Sequence, residues 1–307
     1  MIFMPGKSYA GELPPLQPAQ QLLQEEMRRD IEEISGTIGE HNYQKYENLI
    51  AVAQFIDASF SQAGYDVKSQ EYSVKGQLFR NLEVEIPGNQ KAEEIVVIGA
   101  HYDSVAGSPG ANDNGSGVAA TLALARAFAG KETSRTLRFV AFVNEEQPFA
   151  HTENMGSMVY AKGCRDRNEN VVAMLSLETM GYYSNQPGSQ KYPLGILDKV
   201  YPITGNFIAF VGNFASSKLI RQVVGSFRTH TQFPSEGATL PNSTPGAGWS
   251  DHWSFWQHGY SALMVTDTAP FRYPYYHTAQ DTPEQVQYDS LARVVAGLEA
   301  VITDLVN

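Results

Sequence analysis

The chain has 307 residues, with 22 Lys+Arg against 33 Asp+Glu for a formal net charge of −11, and one cysteine, Cys164. That balance, without any Lys/Arg cluster, argues against a nucleic-acid partner. A lone cysteine excludes an intramolecular disulfide and a CxxC zinc site, and no apolar run approaches the ~18 residues that suggest a membrane span.

Residues 1–18 (MIFMPGKSYAGELPPLQP) lack the apolar core of a signal peptide and read as an extended, proline-containing arm over the body. The compartment is left open: cytoplasm, or bacterial envelope after removal of a leader. Ala19 to Ile34 places Leu22, Leu23, Met27 and Ile31 at helical spacing, and Glu47 to Ala63 is a second amphipathic helix that Gly64 ends. Tyr65 to Val74 alternates as a strand does, Leu82 to Ile86 resembles another, and Pro87-Gly88-Asn89 turns the chain. Ile95 to Ile98 is a β-branched apolar run that a buried strand would use. It delivers His101, Tyr102 and Asp103, and a Gly/Ser/Pro/Asn loop then carries Asp113 into a helix over Val118 to Ala129.

Leu137 to Val143 (LRFVAFV) is a second buried strand and ends at Glu145-Glu146. Val171 to Leu177 is a third and ends at Glu178. Three consecutive buried strands thus end in imidazole or carboxylate groups. Parallel neighbours share one carboxyl edge, where open α/β sheets place their ligands. Residues 179–215 and 231–249 read as irregular loops that wall the site, with one strand at Phe207 to Val211. Ser216 to Arg228 is helical, Ser250 to Trp256 a short helix, Ser261 to Val265 a buried strand, and Glu284 to Leu305 a closing amphipathic helix. With no repeat and no linker, the sequence predicts one α/β domain over 1–307: a twisted, mostly parallel mixed central sheet with helices on both faces.

His101, Asp113, Glu145, Glu146, Glu178 and His277 form a donor set for two cations about 3.5–4 Å apart with one bridging carboxylate. Two close dications repel, so the site needs several negative charges. Asp113, short and loop-borne, suits the bridge. Of the adjacent pair Glu145-Glu146, one can bind metal while the other moves a proton.

HYDS, GANDNGSG, NEE, LETMGYY, SDHWSFW and YYHTAQDT, in this order over Ile95 to Thr282, together resemble peptidase family M28, the co-catalytic zinc aminopeptidases. The resemblance implies a zinc-exopeptidase-like (phosphorylase/hydrolase-like) fold and two zinc ions. His101 and Glu178 would bind one and His277 and Glu146 the other, with Asp113 between them. It further implies Glu145 as general acid/base, Asp103 orienting His101, Tyr276 donating to the oxyanion, and a cis peptide after Asp113. The implied reaction is hydrolysis of N-terminal peptide bonds by zinc-bound hydroxide, with peptide or aminoacyl substrates.

Glu178 departs from the aspartate most often found there, and its extra methylene changes the reach. Gln147 to Thr152 departs from a common Pro-Gly turn. A single-zinc glutaminyl cyclase, a carboxypeptidase or other amide hydrolase on the same scaffold, and a non-catalytic binding domain are the rival readings. No G-x-S-x-G elbow or H-E-x-x-H helix is present. Asp251 and His252 read as a helix cap and a packed histidine. His41, His151, His230 and His258 read as structural or surface groups, and Cys164 as an inert thiol.

Overall fold

The computed structural model describes residues 3–307. Eight strands form one sheet: β1 (Lys68–Val74), β2 (Gln77–Ile86), β3 (Lys91–His101), β4 (Arg135–Phe142), β5 (Asn170–Glu178), β6 (Ile208–Gly212), β7 (Ser235–Thr239) and β8 (Ala262–Thr266), in spatial order β1-β2-β4-β3-β5-β8-β6-β7. The β4-β3-β5-β8 centre is wholly parallel, while β1, β2 and β6 join antiparallel. The sheet is therefore mixed with a parallel heart, as the sequence predicts. The carboxyl ends of β3, β4 and β5 lie side by side on one edge.

Side-chain alternation on β3 separates two cores. Val96, Ile98 and Ala100 enter the larger core, with Leu137, Phe139, Leu175 and Leu177 of the neighbouring strands. Five helices cover this face: α1 (Pro18–Ile31), α2 (Tyr46–Gln62), α3 (Gly117–Phe128), α5 (Ser217–His230) and α8 (Tyr288–Val306). Ile95 and Val97 face the smaller core under α4 (Gly156–Asp166) and α6 (His252–Gln257), where Phe142, Tyr160, Cys164 and Phe255 pack; the one-turn α7 (Ala269–Arg272) follows β8. Cys164 is buried, which pushes its thiol up to about 12, in line with an inert group.

The arm lies along α5 and the sheet edge. Arg228 donates to Pro5 O and Gly6 O, and Ser235 N–H donates to Ser8 Oγ. Two local readings differ from the structure. Helix α1 continues as a wider turn over Glu32–Ile38. Ser235–Thr239, which reads as loop, adds edge strand β7 to β6. Its sequence, SEGAT, lacks strand propensity, and only pairing with β6 supplies what its residues do not. No helix among the described residues is long and apolar enough to cross a membrane.

Leu298 of α8 is fully buried in the larger core. Leu298→Ala should cost about 2–5 kcal/mol. In urea unfolding this appears as a lower midpoint at unchanged slope, with zinc content unaltered.

Candidate metal centre

β3 ends in His101 and β5 in Glu178, so both side chains project from adjacent parallel strands onto the smaller-core face. Beyond β4, Asn144 takes φ 61° and redirects the chain so that both following glutamates reach the site. Thr179, directly after Glu178, has φ 44°, and His277 itself has φ 58°. Left-handed backbone at non-glycine residues is costly and concentrates at functional positions. Asp113 comes from the turn that opens α3, and the peptide after it is cis.

All the predicted donors meet. His101 Nε2 lies 3.4 Å from Asp113 Oδ1 and 3.2 Å from Glu178 Oε2. His277 Nε2 lies 2.9 Å from Asp113 Oδ2 and 3.2 Å from Glu146 Oε1. Two triads therefore share Asp113: His101–Asp113–Glu178 and His277–Asp113–Glu146. Tetrahedral zinc, with bonds of about 2.0–2.2 Å, separates its ligands by about 3.3–3.6 Å, close to these spacings. Buried His101 Nε2, Asp113 Oδ2 and Glu146 Oε1 have no hydrogen-bond partner. Buried polar atoms are rarely left so, and these three converge. The donor set and its orphaned atoms fit two zinc ions. Glu178 meets this geometry despite its extra methylene, and Ser250 Oγ holds its Oε2 at 2.7 Å.

Glu145 stands beside both triads, with Oε2 3.9 Å from His101 Nε2. Tyr276 stacks on the His277 ring at 3.8 Å, and its hydroxyl titrates upward through burial and the nearby Asp113, Glu146, Glu178 and Glu145 charges.

Asp103 acts through the backbone as much as through the imidazole. His101 Nδ1 is 2.9 Å from the Asp103 carbonyl oxygen and 3.5 Å from its carboxylate. The carboxylate accepts the N–H groups of Glu145 at 2.9 Å and Glu146 at 3.0 Å. It thereby ties β3 to the Glu145-Glu146 turn.

The charges are strongly interdependent. Burial pulls His277 down, but the Asp113 and Glu146 carboxylates outweigh it and carry the imidazole up to about 10. His101 also titrates well above its ordinary value, because Glu178 and Glu145 overcome its burial. Burial would raise Asp113, yet the two imidazoles hold it well below the usual carboxylate range. Burial, and then the Asp113 charge, push Glu146 up to about 7. Burial raises Glu145 well above its ordinary value, against the pull of His101.

Sequence reasoning missed Asp281 and Ser250. Asp281 is fully buried. Its Oδ1 accepts the Asn112 N–H and the Tyr273 hydroxyl, and its Oδ2 accepts the Asp113 N–H. It fixes the turn that carries the bridge. The signal was an acid four residues after His277 in YYHTAQDT.

Asp251 stands at the N-cap of α6 but makes no capping hydrogen bond. Both its oxygens are unpartnered, and burial pushes it up to about 7 amid the His101, Glu178 and Asp103 charges. His252 is a packed histidine, bonded to Ala247 O and edge-on to Trp256. His41 is buried against Gly39 O, His151 stacks on Trp253, and His230 pairs with Asp304 at the surface. A cavity open to solvent adjoins the site. Glu178 and Tyr276 stand in its wall, with residues from 190–201 and 236–249.

A model described as Peptidase family M28 matches residues 81–302. The chain is 34% identical to the Escherichia coli uncharacterized protein YfbL, over 92% of this chain and 88% of that one. It is 25% identical to leucine aminopeptidase 1 of Arthroderma otae, over 92% of this chain and 74% of that one. Its fold is that of BSAP, a zinc aminopeptidase from Bacillus subtilis, with TM-score 0.74 at 17% identity over 92% and 95% of the two chains. A glutaminyl cyclase from Tannerella forsythia shares the fold at TM-score 0.66 and 19% identity, over 92% and 98%. With the family match spanning most of the sheet and every strand end that carries a donor, the chain belongs to peptidase family M28.

Proposed function

We propose that this protein is a zinc aminopeptidase that holds two zinc ions and removes N-terminal residues from peptides. The observation that carries the reading is the pair of donor triads sharing Asp113. His101 and Glu178 would hold one ion, His277 and Glu146 the other, and Asp113 both. Bound zinc supplies a Lewis acid for the scissile carbonyl and lowers the pKa of water toward about 7.

The chain's own groups do the rest. Glu145 takes a proton from the attacking water and returns it to the departing amine. Burial suits it to this work by lifting its carboxyl toward neutrality. Tyr276 Oη donates to the oxygen that becomes negative as the carbonyl is attacked. Asp103 and Asp281 hold the turns that carry Glu145, Glu146 and Asp113. Residues of 179–215 and 231–249 would wall the substrate pocket. A glutaminyl cyclase would instead close an N-terminal glutamine and release ammonia. Hydrolysis of leucine amide or an aminoacyl anilide separates the two, and loss of turnover in a chelator with recovery on zinc add-back ties it to the metal.

Glu145→Ala should retain zinc while kcat falls by about 10²–10⁴; near-normal turnover would reject its role. Asp113→Ala should cost both ions and His277→Ala one, as read by metal analysis of the dialysed protein. Retention of two ions by Asp113→Ala would remove the bridge. In the chain alone His277 titrates up to about 10 and His101 above its ordinary value, whereas zinc needs neutral imidazole. Zinc uptake at pH 7 should therefore release protons, and affinity should rise with pH. Calorimetry in buffers of different ionisation enthalpy measures that release.

A further inference from the structure

The cavity beside the metal centre has a regular floor. Along one transverse row of the sheet, Glu178 of β5 pairs with Thr266 of β8, Thr266 with Ala209 of β6, and Ala209 with Glu236 of β7. All four line the cavity. The next row with the same facing contributes Met264, Val211 and Ala238. The trough therefore runs three strand spacings, about 14 Å, from a proposed zinc ligand to Glu236. Its middle is apolar and partly floored by alanine, which leaves room above the sheet. The charged residues that line it are Glu178 and Glu236, one at each end and both acidic.

Glu236 is half-buried. Burial raises its carboxyl above the ordinary range, against the lowering influence of Arg228 and of the Ser8 hydroxyl beside it. Arg228 Nη2 forms an ion pair with Glu236 Oε2 at 3.6 Å, too long for a hydrogen bond, so the carboxylate keeps its acceptor capacity. The guanidinium instead donates to Ser235 Oγ, Ser235 O, Pro5 O and Gly6 O. Tyr192 and Tyr201, whose rings lie 6.0 Å apart, line the same trough. A carboxylate with aromatic faces near it suits a cation.

We propose that the N-terminal residue this trough takes is basic, lysine or arginine. Its apolar stem lies over Ala209, Val211 and Met264, and its charged tip meets Glu236 and the two tyrosines. A leucine side chain stops short of Glu236, and a neutral side chain long enough to cover it would desolvate the carboxylate without replacing its water. The proposal rests on the aminopeptidase reading for which end of the peptide enters.

The test compares lysine with norleucine, which has a similar stem and no charge. With the zinc-loaded protein, kcat/KM for lysyl anilide should exceed that for norleucyl anilide at least tenfold. Glu236→Gln should erase that ratio, chiefly through a fall in lysyl kcat/KM. Calorimetric binding of free L-arginine and L-norleucine to the same protein reads the trough without turnover: arginine should bind at least tenfold tighter, and Glu236→Gln should close the gap. Equal or weaker arginine binding, or a ratio unmoved by Glu236→Gln, overturns the proposal. If no aminoacyl anilide is cleaved but arginine binds selectively through Glu236, the aminopeptidase reading fails and the basic trough stands.

Discussion

Asp113 lies against two imidazoles at once, 3.4 Å from one and 2.9 Å from the other, and the rest of the structure serves that crowding. Glu145, Glu146 and Glu178 converge on the same space, where their charges would repel unless cations lay among them. The side chains already show this need. Both imidazoles and Glu145, Glu146 and Glu178 titrate above their ordinary ranges. A donor set of nitrogen and oxygen, acidic beyond what two histidines balance, is what a pair of zinc ions requires.

Such a cluster persists because its backbone is held from outside. The Asp103 carboxylate takes the N–H groups of Glu145 and Glu146, and that of Asp281 takes those of Asn112 and Asp113. Neither carboxylate belongs to a donor triad. Each satisfies two buried amides that no strand or helix could satisfy, and so fixes a turn that a hydrophobic core alone would leave loose. Ser250 does similar work on Glu178 through its hydroxyl.

The sheet that positions the metal centre also shapes the trough. β5 and β8 continue the parallel heart, whereas β6 and β7 run the other way. Register carries across the reversal, so a single row joins Glu178 to Glu236. One side of the row is chemistry and the other is room, and small residues at Ala209 and Ala238 keep the second open.

Local residue patterns specify the parts of the fold that depend on near neighbours in the chain. Apolar β-branched runs ending in His101, Glu145-Glu146 and Glu178 specify buried strands with polar ends, and parallel pairing then brings those ends together whatever the loops do. Asp113 and His277 were legible through the motifs around them. Strand β7 was not, because SEGAT becomes a strand only when β6 offers its edge. Nor were the backbone-holding roles of Asp281 and Asp103, since a carboxylate that accepts an amide 168 residues away leaves no local pattern. The row from Glu178 to Glu236 belongs wholly to tertiary structure. Sequence period fixes which face a side chain takes, but the alignment of four strands is set by register, which hydrogen bonds between distant segments decide.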